Sequence, residues 1–205
     1  MKVNMGNNVW FPEQITDSLV RILTEKGVSK DDAITIAKIL LEGDLRGYNS
    51  HGINRIFQIL DGFSNNTLSP IDCSEKIDTG KAISLFDGNG YIGQPLAKKA
   101  MLAAIENAKE FGVGVSGVIN SGHIGTLGYY SELAAKEDCI GIVMSTSSPA
   151  VSLPGSGKKI LGTNPISFSI PGNFRRNIIS DFSTSKVSRG KIYEYLNIFY
   201  SCRFS

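Results

Sequence analysis

The middle of the chain alternates strand-like and helix-like segments, and this order limits the folds open to it. Short apolar runs predict strands, whereas apolar residues spaced three or four positions apart over a longer stretch predict helices. The predicted strands are 82–86, 113–119 and 140–145, and the predicted helices between them are 94–111 and 127–136. Strands that alternate with helices are typical of an α/β domain.

The flanking regions have different patterns. Before position 62, three amphipathic helices are predicted: one beginning at Pro12, one capped by Ser29 and one ending at Gly62. Residues 63–78 are polar and predict a loop, and after Pro154 short strands are predicted at 159–161, 166–170 and 178–181. We therefore expect a helical domain over 1–78 and an α/β domain over 79–191, followed by a tail over 192–205.

Composition excludes several classes of protein. The 205 residues include 21 basic and 19 acidic side chains, a net charge of +2, and 41% hydrophobic residues. Such a chain can bury a core, and it has no basic excess that predicts a nucleic-acid or membrane-surface partner. The sequence contains neither a leader-like segment nor an apolar run of about 20 residues. Its three cysteines are far apart, so we expect a cytoplasmic protein without a disulfide framework.

A glycine-rich turn at 88–93 matches the G-x-G-x-x-G pattern of dinucleotide-binding folds. A Rossmann domain also needs an acidic residue at the end of the next strand, about 20 residues on. The strand predicted at 113–119 is followed by Asn120, Ser121 and Gly122 instead. We therefore predict a tight turn between strand and helix, in preference to a pyrophosphate site.

Two histidines, His51 and His123, are candidates for proton transfer because imidazole titrates near neutral pH. Each lies among glycines and small polar residues, so a role in capping a backbone group is equally open. Arg46, just before His51, could bind a carboxylate with two parallel hydrogen bonds, or it could be a surface residue at a helix end. No metal site is expected, because two isolated histidines without paired cysteines make a poor ligand set.

Three further segments combine hydroxyl groups with turn residues: 145–150, 161–166 and 181–185. Each follows or borders a predicted strand. Hydroxyls and backbone amides at strand ends can bind phosphate and ribose, although such residues are also ordinary turn formers. Taken one at a time, these segments decide nothing.

Taken in order, the segments resemble the malate/L-lactate dehydrogenase family, whose NAD- or NADP-dependent 2-hydroxyacid oxidoreductases lack a Rossmann fold. The resemblance spans about residues 12–191 and is carried by 44–47, 50–55, 88–93, 120–125, 147–150, 161–166, 181–185 and 189–191. It implies an α/β (α+β) fold with an N-terminal helical domain and a mixed-sheet cofactor-binding domain. It also implies a homodimer that acts on a small 2-hydroxy or 2-keto acid of the malate or L-lactate type.

The resemblance further implies roles for individual residues. His51 and His123 correspond to acid/base candidates, and Arg46 corresponds to a ligand of the substrate carboxylate. The cofactor site corresponds to Ser147, Thr163, Asn164, Asp181, Phe182, Ser183, Thr184 and Ser185. Phe182 stands where the family usually has a methionine.

The end of the chain departs from the family pattern, since residues 192–205 match nothing expected there. Family members continue beyond this point, so we expect a C-terminally truncated chain with an incomplete cofactor domain and an aberrant tail. Two alternatives to a hydroxyacid dehydrogenase therefore stay open. One is reduction of a cyclic imino acid or another 2-keto acid in the same site, and the other is an inactive fragment.

Overall fold

The computed structural model describes residues 3–5, 8–173, 176–187 and 192. Its α-helices are α1 (Pro12–Glu25), α2 (Lys30–Leu45), α3 (Arg55–Ser64), α4 (Gly93–Phe111) and α5 (Leu127–Ala135), with a short 3-10 helix at Asn49–His51. Its strands are β1 (Val3–Met5), β2 (Asn8–Trp10), β3 (Glu75–Asp78), β4 (Ile83–Asp87), β5 (Val115–Ile119), β6 (Gly141–Met144), β7 (Val151–Ser152), β8 (Lys159–Leu161), β9 (Ile166–Ile170) and β10 (Ile178–Phe182). The predicted α/β class is confirmed, with helices α1–α3 preceding the mixed strands and helices.

The first three helices form where their apolar residues recur at helical spacing. The hydroxyl of Ser29 accepts a hydrogen bond from the backbone N–H of Asp32 at 3.2 Å, which confirms Ser29 as the cap of α2. Leu23, Ile36 and Leu40 are fully buried between these helices. The same apolar cluster continues through Phe86 and residues of α4, so α1–α3 are packed directly against the following sheet and helix.

The strands β4 and β5 lie parallel, and α4 makes the crossover between them. Gly112 ends α4 in the left-handed conformation, with φ of 81°, as its place after the predicted helix suggested. On the other side of β4, β3 pairs with it antiparallel. This three-stranded sheet brings the turn after β4 and the loop after β5 to the same edge.

A second sheet has the order β10-β9-β6, with antiparallel pairing throughout. Helix α5 packs on it through a cluster of serines: the Ser131 hydroxyl lies 2.8 Å from the hydroxyls of both Ser167 and Ser169. Small side chains let the helix approach closely, because a Cβ added at Gly141 would come within 2.3 Å of the Ser131 carbonyl oxygen. This sheet presents β10 and its following segment to the N-terminal end of α5.

The structure adds elements that the sequence pattern did not predict. The loop expected over 63–78 contributes β3, and β1 pairs with β2 near the N-terminus. β3 is a short polar edge strand, so its pairing with β4 defines it better than its apolar content does. The boundary expected after residue 78 falls between these two paired strands. Residues 189–191 and the predicted tail beyond 192 lie outside the described residues.

Candidate functional site

His51 lies in the 3-10 turn that follows α2, and a carboxylate holds the chain after it. The Asp44 Oδ2 accepts a hydrogen bond from the Ile53 backbone N–H at 2.8 Å. Gly52 allows this contact, because a Cβ there would lie 2.0 Å from Asp44 Oδ1. Burial raises the pKa of Asp44, and the Ile53 hydrogen bond opposes that rise. Asp44 thus positions His51, a role that sequence reasoning did not assign to it.

His123 lies in the loop after β5, and the glycine-rich turn at 88–93 supports that loop. The Gly90 N–H donates to the Asn120 carbonyl at 2.8 Å, and the Gly122 N–H donates to the Tyr91 carbonyl at 3.0 Å. A Cβ at Gly93 would lie 2.0 Å from the Gly122 carbonyl oxygen. The neighbouring loop therefore packs closely on Gly93, while the space beside Gly90 is open, and the prediction of a structural turn stays a prediction.

These two loops bring the histidine rings together. The ring centroids are 5.5 Å apart and the planes are inclined by 32°. The Nδ1 of His51 lies 3.0 Å from the Ser50 hydroxyl, and the Nδ1 of His123 accepts a hydrogen bond from the Gly125 N–H at 3.0 Å. Residues 72 positions apart in the chain therefore form one imidazole pair.

Both imidazoles are neutral at neutral pH. Burial, helped by the positive charge of Arg55, lowers the pKa of His51 to about 4. Burial, the positive charge of Arg55 and the neighbouring His51 also lower the pKa of His123. The side chain of His123 is exposed on one side, so solvent reduces the lowering of its pKa. Neutral imidazoles can accept a proton, which a general base must do.

The lowered pKa of His51 predicts an acid-sensitive fold. Unfolded His51, with its ordinary pKa of 6.5, takes up a proton as the pH falls below that value. Folded His51, with a pKa of about 4, stays neutral until the pH approaches 4. The free energy of unfolding should therefore decrease through this range, by at most about 3 kcal/mol from this residue. Urea unfolding at about pH 7 and about pH 5 measures the effect. The variant His51→Gln should show a smaller pH dependence, and an unchanged dependence would contradict the assignment.

A pocket of about 340 Å³ opens beside His123, and His51 is not among the residues of its wall. Its wall includes His123, Arg55 and Gln94, together with polar residues of α3 and the segment after it. The Arg55 Nε donates to the Ser50 carbonyl at 2.7 Å, which fixes the guanidinium beside the residue that precedes His51. Arg55 and Gln94 were not predicted as site residues, although Arg55 belongs to the same motif as His51.

Arg46 is engaged elsewhere. Its Nε donates to Glu42 Oε1 and its Nη2 to Glu132 Oε2, both at 2.7 Å. Its Nη1 also approaches Gly128, at the beginning of α5, where a Cβ would lie 3.0 Å from it. Arg46 does not line the pocket beside His123. A substrate carboxylate at Arg46 would compete with two glutamates, and the predicted role of Arg46 stays a prediction.

Most of the predicted cofactor residues come together at one polar surface. The Ser147 hydroxyl accepts from the Thr163 N–H at 2.8 Å, and the Ser147 N–H donates to Asn164 Oδ1 at 3.2 Å. The third segment joins them, since the Thr184 N–H donates to the Thr163 carbonyl at 3.1 Å. Ser183 also donates to that carbonyl, and its hydroxyl lies 2.6 Å from the Ser185 hydroxyl.

Two residues of the third segment, Asp181 and Phe182, do not belong to this polar surface. The Asp181 Oδ2 accepts a hydrogen bond from the Gly128 N–H at 2.7 Å, so this carboxylate caps the beginning of α5. Burial raises the pKa of Asp181, against the effects of that hydrogen bond and of Arg46. Phe182 is 49% exposed and, as the next residue along β10, lies on the opposite face of the strand from Asp181.

The described residues form neither a cluster of metal ligands nor a membrane-spanning helix. No group of three or more His, Cys, Asp or Glu side chains is placed to hold a metal ion there. No helix in that part of the chain has both the length and the apolar content to cross a membrane.

Comparison with known proteins gives consistent matches. The family model described as malate/L-lactate dehydrogenase matches residues 11–197. Malate/(S)-sulfolactate dehydrogenase of Methanothermus fervidus is 40% identical over 183 residues, which are 89% of this chain and 54% of that protein. Ureidoglycolate dehydrogenase (NAD(+)) of Escherichia coli K12 is 31% identical over 84% of this chain and 49% of that protein.

Solved structures agree with these matches. Malate dehydrogenase from Pyrococcus horikoshii OT3 superposes with a TM-score of 0.86 and 35% identity, over 93% of this chain and 53% of that chain. Sulfolactate dehydrogenase from Methanocaldococcus jannaschii superposes with a TM-score of 0.85 and 38% identity, over 91% and 54%. The chain thus spans about half the length of the relatives it matches.

Proposed function

This chain belongs to the malate/L-lactate dehydrogenase family, and we propose that it exchanges a hydride between a nicotinamide cofactor and a small 2-hydroxy or 2-keto acid of the malate or L-lactate type. The observation that carries the proposal is the facing pair His51 and His123 beside a pocket with Arg55 in its wall. Interconverting a hydroxyl and a carbonyl beside a carboxylate needs a proton-transfer group and a cation; Arg55 and His123 lie in the pocket wall, and His51 lies against His123.

The hydrogen bonds of the two imidazoles suggest different roles for them. Because the Gly125 N–H donates to Nδ1 of His123, a neutral His123 carries its proton on Nε2 and acts as a hydrogen-bond donor. His51 can instead donate from Nδ1 to the Ser50 hydroxyl, which leaves its Nε2 free to accept a proton. In oxidation, His51 takes the hydroxyl proton while His123 donates a hydrogen bond to the same oxygen. In reduction, protonated His51 returns the proton.

Arg55 is our candidate for binding the substrate carboxylate. Its guanidinium lines the pocket with His123 and acts electrostatically on both histidines. A bound carboxylate would offset the positive charge that lowers the pKa of His51. His51 would then become a stronger base when substrate is present. Arg46, whose guanidinium is held by Glu42 and Glu132, is the alternative; Arg55 itself donates to the Ser50 carbonyl and to Gln58 Oε1, but it lies in the pocket wall.

When bound, the nicotinamide of NAD or NADP would accept the hydride. The cofactor's proposed ligands are the polar surface formed by Ser147, Thr163, Asn164 and residues 183–185, whose hydroxyl and amide groups suit ribose and phosphate oxygens. Asp181 and Phe182 would support this surface from β10 and are not proposed to bind the cofactor directly. A homodimer and a cytoplasmic location complete the proposal.

Cofactor binding and substrate oxidation test the proposal separately. Titration of the full chain with NADH should shift the nicotinamide fluorescence, because a nicotinamide bound to the protein fluoresces differently from one free in water. Assays with L-malate and L-lactate, each with NAD and NADP, should then show oxidation of at least one acid. A cyclic 2-imino carboxylate, tested in reduction with NADH and NADPH, covers the alternative substrate.

The outcomes separate the competing interpretations. Turnover of the imine alone would replace the hydroxyacid by an imino acid as substrate. Absence of NADH binding at millimolar concentration would favour an inactive chain. The variant Ser147→Val should weaken NADH binding, whereas Ser156→Ala, at an exposed turn outside the polar surface, should leave it unchanged.

A further inference from the structure

Tyr130 is a buried tyrosine whose hydroxyl reaches the loop that carries His123. The residue lies one turn into α5 and is 1% exposed. Its hydroxyl donates a hydrogen bond to the Ile124 carbonyl. Burial raises the pKa of Tyr130 well above its ordinary value, so the hydroxyl keeps its proton and stays a donor. The proposed reaction gives this hydroxyl no role, although its partner is the residue next to His123.

One peptide group links this hydroxyl to the imidazole. The Ile124 carbonyl and the Gly125 N–H belong to the same planar peptide bond, so fixing the direction of one fixes that of the other. The Gly125 N–H donates to Nδ1 of His123 at 3.0 Å. A peptide that accepts a hydrogen bond at its oxygen becomes a stronger donor at its nitrogen, because hydrogen bonds in a chain polarise one another. The Tyr130 hydroxyl therefore both directs and strengthens the hydrogen bond to His123.

We propose that Tyr130 is a positioning residue, which keeps the His123 proton on Nε2 by holding the peptide between Ile124 and Gly125. This inference rests on the proposed function, in which His123 donates a hydrogen bond from Nε2 to the reacting oxygen. A neutral imidazole with its proton on Nδ1 would point that proton at the Gly125 N–H, so two donors would face each other. Tyr130 acts through His123 and is not itself a catalytic residue.

Helix α5 gives the hydroxyl a fixed position. At the beginning of the helix, the Gly128 N–H donates to the Asp181 carboxylate of β10 at 2.7 Å. Directly after Tyr130, the Ser131 hydroxyl lies 2.8 Å from two serine hydroxyls of β9. Tyr130 therefore lies between two points at which α5 is bonded to the β10-β9-β6 sheet, and this sheet and helix form the frame that holds the Ile124 carbonyl.

The test observes the protonation of each ring nitrogen by NMR, on the full, unliganded chain with isotope-labelled histidine nitrogens. The chain has two histidines, so two imidazoles are observed, and the spectrum of His51→Gln identifies that of His123. At about pH 7, wild-type His123 should be in the Nε2–H form. In Tyr130→Phe, the ratio of the Nε2–H form to the Nδ1–H form should fall by about two- to tenfold, the equilibrium effect of one neutral hydrogen bond.

Tyr129→Phe is the matched control. It removes the hydroxyl of the preceding tyrosine, whose ring contacts that of Tyr130 edge-on and which lines a separate cavity between α2 and α4. This variant should keep the wild-type ratio. Tyr130→Phe should melt at a lower temperature than wild type, because it loses the hydrogen bond of a buried hydroxyl. A purely structural hydroxyl predicts that loss too, so the nitrogen spectrum, and not the stability, identifies a positioning role.

Turnover and cofactor binding complete the test. With L-malate, Tyr130→Phe should lower the rate by up to about tenfold, because fewer molecules present a protonated Nε2 to the reacting oxygen. NADH binding should be unchanged, since the proposed cofactor surface lies on other segments. A larger effect on NADH binding than on the rate would contradict a role through His123.

The outcomes for this inference and for the proposed function are distinct. A wild-type ratio in folded Tyr130→Phe would make Tyr130 a structural residue, and the proposed function would still stand. Wild-type His123 in the Nδ1–H form would overturn the inference even if Tyr130→Phe does not fold. If the ratio falls as expected while wild type turns over none of the acids or the imine, the proposed function fails and the hold of Tyr130 on His123 is still supported.

Discussion

Replacing His51 with alanine should lower turnover by about 10²–10⁴-fold, the usual contribution of a positioned general base. The variant lacks the imidazole whose Nε2 would take the hydroxyl proton. The other histidine of the sequence, His123, lies beside it but is proposed to donate a hydrogen bond instead. NADH binding should persist, because the proposed cofactor surface lies on other segments. Steady-state rates with L-malate, together with NADH fluorescence, measure both effects.

Two companion variants identify which imidazole moves the proton. Ser50→Ala removes only the group that lies 3.0 Å from Nδ1 of His51, so its rate should fall much less than that of His51→Ala. His123→Ala should weaken stabilisation of the reacting oxygen and lower the rate as well. If His51→Ala kept near-native turnover while His123→Ala abolished it, the two roles would have to be exchanged.

Gly93→Ala should destabilise the fold and disrupt the site at the same time. A Cβ at Gly93 would lie 2.0 Å from the Gly122 carbonyl oxygen and 2.7 Å from the His123 carbonyl oxygen, so one backbone segment must move. Forcing atoms into such a filled space typically costs about 1–3 kcal/mol and sometimes more. Because the displaced segment carries His123, activity should fall by more than the loss of folded protein explains.

Chemical unfolding gives the change in free energy, and the rate per folded molecule gives the effect on the site. Gly157→Ala is the matched control, because a Cβ there would meet nothing within 4 Å. That variant should differ from wild type by no more than about 0.5 kcal/mol. Wild-type stability and rate in Gly93→Ala would rule out the glycine turn as the support of the His123 loop.

Local patterns were sufficient for most of the elements. The predicted helix over 94–111 agrees with α4 to within one residue, and the strand over 166–170 is β9 itself. β3 was missed because its residues are polar and it is defined by its pairing with β4. Phe57 of α3 is 65% exposed although its side chain is apolar, which shows that residue type does not decide what covers a side chain.

The family motifs located the candidate site but not its internal contacts. They singled out His51 and His123, yet nothing in their spacing required the rings to lie 5.5 Å apart. They also favoured Arg46 for binding the substrate carboxylate, because Arg46 corresponds to that ligand in the family. The structure instead places Arg55 in the pocket wall and Arg46 between two glutamates, one of which is 86 residues away.

By itself, the sequence determined the α/β class, the family and the residue types available for proton transfer, because these depend on local periodicity and on motifs within a few residues. Only the tertiary structure decided which groups meet. Gly93 lies against the His123 loop, Asp44 holds the segment after His51, and Gln94 lies buried in the pocket wall with an amide oxygen that has no partner among the described residues. Each of these depends on the packing and burial of groups around it in the folded chain, and spacing along a sequence carries no record of such contacts.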